Sequence, residues 1–270
     1  MLERQVYKYL VRDSKLSQSK LQTLFKSFLK SAPTVTIKSK QNVHLLIDAT
    51  YFPNKLCLVL YYDYDINYVQ LYRNTDKEKF KEIKEDLENL KRLNVQVYSV
   101  TCDGHKAILK AIKQVYPNAI IQRCLVHIKR QVKTYISEQP KLLQAKSLLQ
   151  LSNKITFIKT QEQCSLWLIE FYNWYQLNKN FINEKSINQQ TGRMWYTHKK
   201  LHLACSLIIK AIPNMFCYLN DEKIPYTTNK LEGYFTHLKE QLNIHKGLRF
   251  EAKKNFIKWY LHFKNNASHY

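Results

Sequence analysis

The chain has 270 residues, 45% of them hydrophobic, enough for one large domain or two smaller ones with a proper core. Its formal charge of +22 suits a polyanionic partner, nucleic acid first; Arg supplies only 8 of the 43 basic residues, so a lysine excess from AT-rich coding DNA is the alternative source. The opening Met1-Leu2-Glu3-Arg4-Gln5 lacks the apolar run of a signal peptide, and no uninterrupted apolar stretch is read as spanning a bilayer, so a cytoplasmic protein is expected.

Residues 1–32 read as two short helices, the first patterned over 6–11. Ser17 caps the second, with Leu21, Leu24, Phe25 and Phe28 on its buried face. The pair fits a helix-turn-helix over 1–35 that brings Lys20 to DNA, and it fits a plain helical hairpin equally. Pro33 ends the segment. Val43-His44-Leu45-Leu46-Ile47 is the nearly continuous apolar run of a buried central strand, predicted to stop at Asp48. Residues 55–62 and 67–72 form a predicted hairpin around Asp63-Tyr64-Asp65. A helix over 77–93 carries Phe80, Ile83, Leu87 and Leu90 at helical spacing. A strand over 95–101 leads into Asp103-Gly104-His105, followed by a helix over 106–115 and a short strand over 119–122. This order predicts an α/β layered domain with a mixed sheet. No strand signal is strong between about 124 and 220, where helices are predicted over 142–151, 164–175 and 199–211. Helices over 228–242 and 250–263 close the chain.

Asp48 and Asp103 each follow an apolar strand, the position that lines the functional crevice of α/β sheets. Carboxylates there can share divalent cations, which activate a hydroxyl and stabilise a leaving oxygen in phosphoryl transfer. Each Asp also fits a turn or helix cap. Glu232 comes late, in Pro225-Tyr226-Thr227-Thr228-Asn229-Lys230-Leu231-Glu232-Gly233. Asn229 and Glu232 make a capping box, or the carboxylate of Glu232 points into the crevice. In the second case Lys239, His245, Lys246 and Arg249 stand near enough to hold DNA phosphates. The six cysteines form no C-x-x-C pair, which excludes a zinc ribbon and suits reduced, buried thiols.

Taken in order, Asp48-Ala49-Thr50-Tyr51-Phe52, Asp103-Gly104-His105, Gln122-Arg123-Cys124-Leu125-Val126-His127, Trp195-Tyr196-Thr197-His198-Lys199-Lys200 and Thr227-Thr228-Asn229-Lys230-Leu231-Glu232-Gly233 resemble the mutator-type bacterial insertion-sequence transposases. The closing Leu238-Lys239 and His245-Lys246-Gly247-Leu248 resemble the branch that often carries an N-terminal zinc-binding segment, and no cysteine pair of that kind occurs here. The resemblance runs from about residue 10 to about 263, and it is the order of the motifs that makes it specific. It implies an RNase H-like catalytic domain over 40–270 with an all-helical insertion at about 125–222, before the last acid. It implies that Asp48, Asp103 and Glu232 are the catalytic acids and hold Mg²⁺, or Mn²⁺ in its place. The implied activity is DNA end cleavage and strand transfer of an insertion sequence. Double-stranded DNA, as transposon ends and target, is the implied partner of a homodimer or higher assembly at the bacterial nucleoid.

The resemblance also touches Arg123, His127, Trp195 and His198 as DNA-facing residues. Cys124 and His127 match a family Cys/His signature, open to packing, DNA contact or metal binding. Trp195 fits either stacking on a distorted base or a place in the core. His198 and His202, four apart, fit a metal pair, phosphate contact or plain surface. Two alternatives keep the same features: an RNase H-like nuclease that cuts without joining, and a non-catalytic DNA-binding regulator derived from a transposase.

Overall fold

The computed structural model describes residues 7–34, 36–245 and 247–267. The chain divides into two compact units, one comprising Met1–Tyr98, Ala107–Ala119 and Asn229–Tyr270, the other Ser99–Lys106 and Ile120–Thr228. Strands β1 (Lys40–Phe52), β2 (Leu56–Asp63), β3 (Tyr68–Thr75), β4 (Val95–Cys102) and β5 (Ile120–Arg123) form a mixed sheet in the order β3-β2-β1-β4-β5.

In the first unit β1 and β2 pair antiparallel from Leu45↔Asp63 to Phe52↔Leu56. Every residue of β2 is buried, as is each of Val43 to Asp48 in β1, so both faces of this strand pair are covered. Leu46, Leu58, Leu60 and Tyr62 lie on one face. There they pack with Leu231, Phe235, Leu238 and Leu242 of α9 (Asn229–Ile244) and with Phe256, Ile257 and Tyr260 of α10 (Phe250–Ala267). The spacing of the four α9 residues is that of one helical stripe. α3 (Phe80–Arg92) buries Ile83, Leu87 and Leu90 and, among them, Asp86. Arg73 of β3 grips Asp86 with both arms of its guanidinium, at 2.7 and 2.6 Å, and the Tyr61 hydroxyl donates to it at 2.9 Å. A buried carboxylate is tolerated because these donors replace its water.

α1 (Tyr7–Ser14) and α2 (Gln18–Phe28) are both present, and Ser17 caps α2 by accepting from the Lys20 N–H. The expected buried face of α2 is only partly formed: none of its residues is fully buried, half-buried Phe25 packs against the core, and Leu24 and Phe28 are exposed. Its end is instead tied to α10 from outside. Phe28 meets Trp259 edge-on at 5.1 Å, and the Trp259 indole N–H donates to the Phe28 and Ser31 carbonyls.

The second unit is built on the parallel pair β4–β5, in register from Ser99↔Ile120 to Cys102↔Arg123. Its core joins α5 (Leu125–Ile136), α6 (Leu143–Lys154), α7 (Gln161–Asn183) and α8 (Lys199–Ala211), with Trp167 stacked on Phe171 at 5.4 Å. This region is not all-helical as expected: β6 (Lys185–Ile187) and β7 (Met194–Tyr196) pair antiparallel. Three-residue, largely exposed strands carry too few alternations to register as a period in the sequence. The stretch Lys199–Leu219 is, against expectation, long and apolar enough to cross a membrane by length and composition. Its buried residues Leu201, Ala204, Cys205 and Ile208 belong to the unit's core, the role of an interior helix.

Candidate catalytic and nucleic-acid site

Asp48 does not end its strand as expected. β1 continues four residues further, and Asp48 stands opposite Leu60, 7% exposed. Alternation puts it on the same face as Leu46, the face that α9 covers. The Ala49 N–H donates to its Oδ1 at 2.8 Å. A carboxylate at such a position is costly unless something holds it.

Glu232 lies in the first turn of α9, next to the buried Leu231. The helix starts at Asn229, so the expected cap residue is the first helical one. Lys230 anchors this turn: its ammonium lies 3.7 Å from the centre of the Tyr64 ring and donates to Asn67 Oδ1 at 2.8 Å. Burial holds the Lys230 pKa below its ordinary value, and the Asp65 charge partly offsets that. Nothing in the local sequence pattern marks Lys230 for this contact.

Asp103 follows β4 directly, as expected, in a turn held by side chains. Its Oδ1 accepts from the His105 N–H at 2.7 Å. Gly104 has φ +84, in the left-handed region that favours glycine, and a Cβ there would stand 1.8 Å from Arg123 Nε. The guanidinium of Arg123, 5% exposed, occupies that space and donates from Nε and Nη2 to the Asp103 carbonyl at 3.2 and 2.9 Å. Arg123 was expected at DNA. The structure puts it inside the second unit, on the turn that bears Asp103.

Its neighbours are tied in the same way. Gln122 is fully buried; its amide donates to the Met215 carbonyl at 2.7 Å and accepts from the Tyr218 N–H at 3.2 Å. Cys124 Sγ accepts from the Thr228 N–H at 3.3 Å and from the Thr228 hydroxyl at 3.5 Å. His127 Nδ1 is 3.3 Å from that hydroxyl. A hydroxyl has one proton, so the consistent orientation has His127 donating to Thr228 and Thr228 donating to Cys124. Burial would push the Cys124 thiol up; its bond to His127, the His127 charge and its bond to Thr228 outweigh that and hold it below the usual thiol value.

The other expected DNA residues separate into inside and outside. His245 stacks on Phe25 at 4.9 Å, and burial lowers its pKa, so it joins α2 to the core. Lys239 is half-buried with its ammonium 5.7 Å from the Phe52 ring. His198 stacks on Phe181 at 3.8 Å and bonds Glu184 at 3.1 Å, while His202 stacks on Tyr196 at 3.7 Å. Each ring thus has its own aromatic platform, an arrangement unlike a shared metal. Lys20 and Arg249 are exposed. Trp195 is 45% exposed on β7, and Lys185, Arg193, Lys199 and Lys200 nearby in the chain are exposed too. Lys246 lies outside the described residues.

Three carboxylates are the right donors for a hard cation such as Mg²⁺. Among the described residues, however, no three His, Cys, Asp or Glu side chains are grouped to hold a metal ion. Asp48 and Glu232 belong to the first unit and Asp103 to the second.

Residues 67–176 match the model of a family described as Transposase, Mutator family. That stretch includes Asp103 and the whole of Gln122 to His127. No curated protein matches the chain. Among solved structures the chain is similar to one titled "CryoEM structure of simian T-cell lymphotropic virus intasome in complex with PP2A regulatory subunit B56 gamma". The two are 15% identical over 64% of this chain, with a TM-score of 0.25, too low to carry an argument. The chain spans 59% of the length of that one.

Proposed function

We propose that this mutator-type transposase chain catalyses DNA end cleavage and strand transfer of an insertion sequence, with Asp48, Asp103 and Glu232 as its catalytic acids. The observation that carries the reading is the Asp103-Gly104 turn inside the family-matched stretch: an aspartate directly after a strand, its backbone carbonyl gripped by a buried arginine and its carboxylate by the His105 N–H. Asp48, buried on the face that α9 covers, and Glu232, in the first turn of α9, support it from the first unit. An RNase H-like arrangement of the sheet belongs to the same proposal.

Bound Mg²⁺, or Mn²⁺, held by the three acids, would supply an activated hydroxyl and charge neutralisation. The chain's own part is to place those carboxylates and to bind the DNA backbone through its surplus of lysine. Trp195, exposed among basic residues, suits stacking on a base at the transposon end. Exposed Lys20 on α2, in the proposed helix-turn-helix, and Arg249 suit phosphate contacts. No covalent protein–DNA intermediate is needed. A homodimer or higher assembly on two ends follows from the chemistry of two-ended transfer, in the cytoplasm at the nucleoid.

The test is a Mg²⁺-dependent assay on end DNA, uncut and pre-cleaved. The proposal expects cleavage of the first and joining of the second to a target. Cleavage without joining makes the chain a nuclease, and binding without either makes it a regulator.

A further inference from the structure

The chain that leads into α9 is fastened along its length to the second unit. The Thr101 hydroxyl donates to the Pro225 carbonyl. The Leu125 N–H donates to the Tyr226 carbonyl at 3.1 Å. Lys159 donates to the Tyr226 hydroxyl at 2.9 Å and lies 4.1 Å from the centre of its ring. Thr228, fully buried, ends the strap on Cys124 and His127. The next residue is the first of α9, and Glu232 follows within one turn. The same short run also holds Asp103, because Arg123 fills the space beside Gly104.

We infer that Gln122-Arg123-Cys124 with His127 is a positioning device, in which Cys124 and His127 clamp Thr228 and thereby set where α9 and Glu232 begin. Cys124 and His127 are then neither metal ligands nor DNA contacts. The geometry explains why a thiol and an imidazole stand one turn apart: the sulfur takes the backbone N–H and hydroxyl of one residue, and the ring orients that hydroxyl. Loss of the sulfur leaves the buried Thr228 N–H without that acceptor, and loss of the hydroxyl removes the bonds that join the strap to Cys124 and His127; either change is relieved by local opening of the strap. A small displacement of a catalytic carboxylate lowers turnover by up to about 10²-fold without touching the DNA-binding surface.

The inference rests on the catalytic reading of Glu232, and the experiment separates the two. Thr228→Val removes the hydroxyl at equal size, Thr228→Ser retains it, and Cys124→Ala removes the sulfur. Full-length variants are compared by hydrogen–deuterium exchange over 225–235, end-DNA affinity, cleavage rate and bound zinc. The expected result is faster exchange over 225–235 in Thr228→Val and Cys124→Ala. Cleavage falls at least about tenfold with affinity little changed, and Thr228→Ser regains most of the loss. Unchanged exchange in both deletions overturns the clamp, as does near-stoichiometric zinc that Cys124→Ala abolishes. If Glu232→Gln cleaves like the parent, the catalytic reading falls, and exchange over 225–235 alone decides whether the clamp stands.

Discussion

Asp48 and Asp103 are the same side chain held in place by two different means. In the first unit Asp48 is held by register: it is opposite Leu60 because the whole strand pair from Leu45 to Phe52 is in step. In the second unit Asp103 is held by individual polar ties, from Arg123 to its carbonyl and from the His105 N–H to its carboxylate. Register is a collective property, since slipping it by one residue would turn every side chain to the other face. A tie is a single contact. Damage near Asp48 should therefore cost stability before function, and damage near Asp103 the reverse.

The largest expected effect tests whether the three acids matter at all. Asp48→Asn, Asp103→Asn and Glu232→Gln should each lower Mg²⁺-dependent cleavage by about 10³-fold or more, the scale of losing one preorganised electrostatic group. End-DNA affinity, measured by anisotropy, should change little. Parent-like cleavage by any of the three removes that residue from the site.

Next comes the collective hold. Leu60→Ala leaves a cavity on the face that α9 and α10 cover, at a cost of about 3 kcal/mol in urea unfolding. The ladder from Leu45 to Phe52 persists, so the cleavage rate per folded molecule should stay near the parent value. A rate that collapses with stability retained would break the contrast.

Smaller in stability, and larger in rate, is the effect of the ties. Arg123→Lys loses the two-point grip on the Asp103 carbonyl and should cost about 1–2 kcal/mol in unfolding. Cleavage should nevertheless fall more than about tenfold. Gly104→Ala should act in the same direction, because its Cβ would displace the Arg123 guanidinium. If Arg123→Lys loses stability alone, Arg123 is only a packing residue.

The smallest effect is of pH. Burial lowers the pKa of His245 in the first unit and of His202 in the second. The unfolded chain therefore binds protons that the native one refuses. Stability is fully present above the ordinary imidazole value of 6.5 and is lost as pH falls below it. Thermal unfolding at pH 7.5 and 5.5 should show the loss, and His245→Phe should reduce it.

What the sequence revealed follows the same division. Elements with a long apolar stripe were legible: the helices over 106–115 and 199–211 match α4 (Lys106–Val115) and α8, and the hairpin of β2 and β3 stands where expected. α5 is absent from the predicted elements although Leu125, Ile128, Val132 and Ile136 stand at helical spacing. β1 was cut short at Asp48 because a charge reads as an end, while the ladder that carries it onward lies in β2. Asp103 was legible from its Asp-Gly turn. The interior role of Arg123 was not, since arginine reads as surface and its partner is 20 residues away. The partners of Gln122 and Cys124 are 93 and 104 residues away, a distance at which no local pattern gives a signal.

The cysteines have a use that follows from where they lie. Cys57 belongs to the first unit and Cys102, Cys124, Cys164, Cys205 and Cys217 to the second. Burial pushes the thiols up, to about 11 at Cys57 and about 12 at Cys102 and Cys205, so these stay protonated and slow to alkylate while folded. Pulsed alkylation read by peptide mass spectrometry would then time the breathing of each unit separately, with Cys57 as the clock of one and Cys205 as the clock of the other.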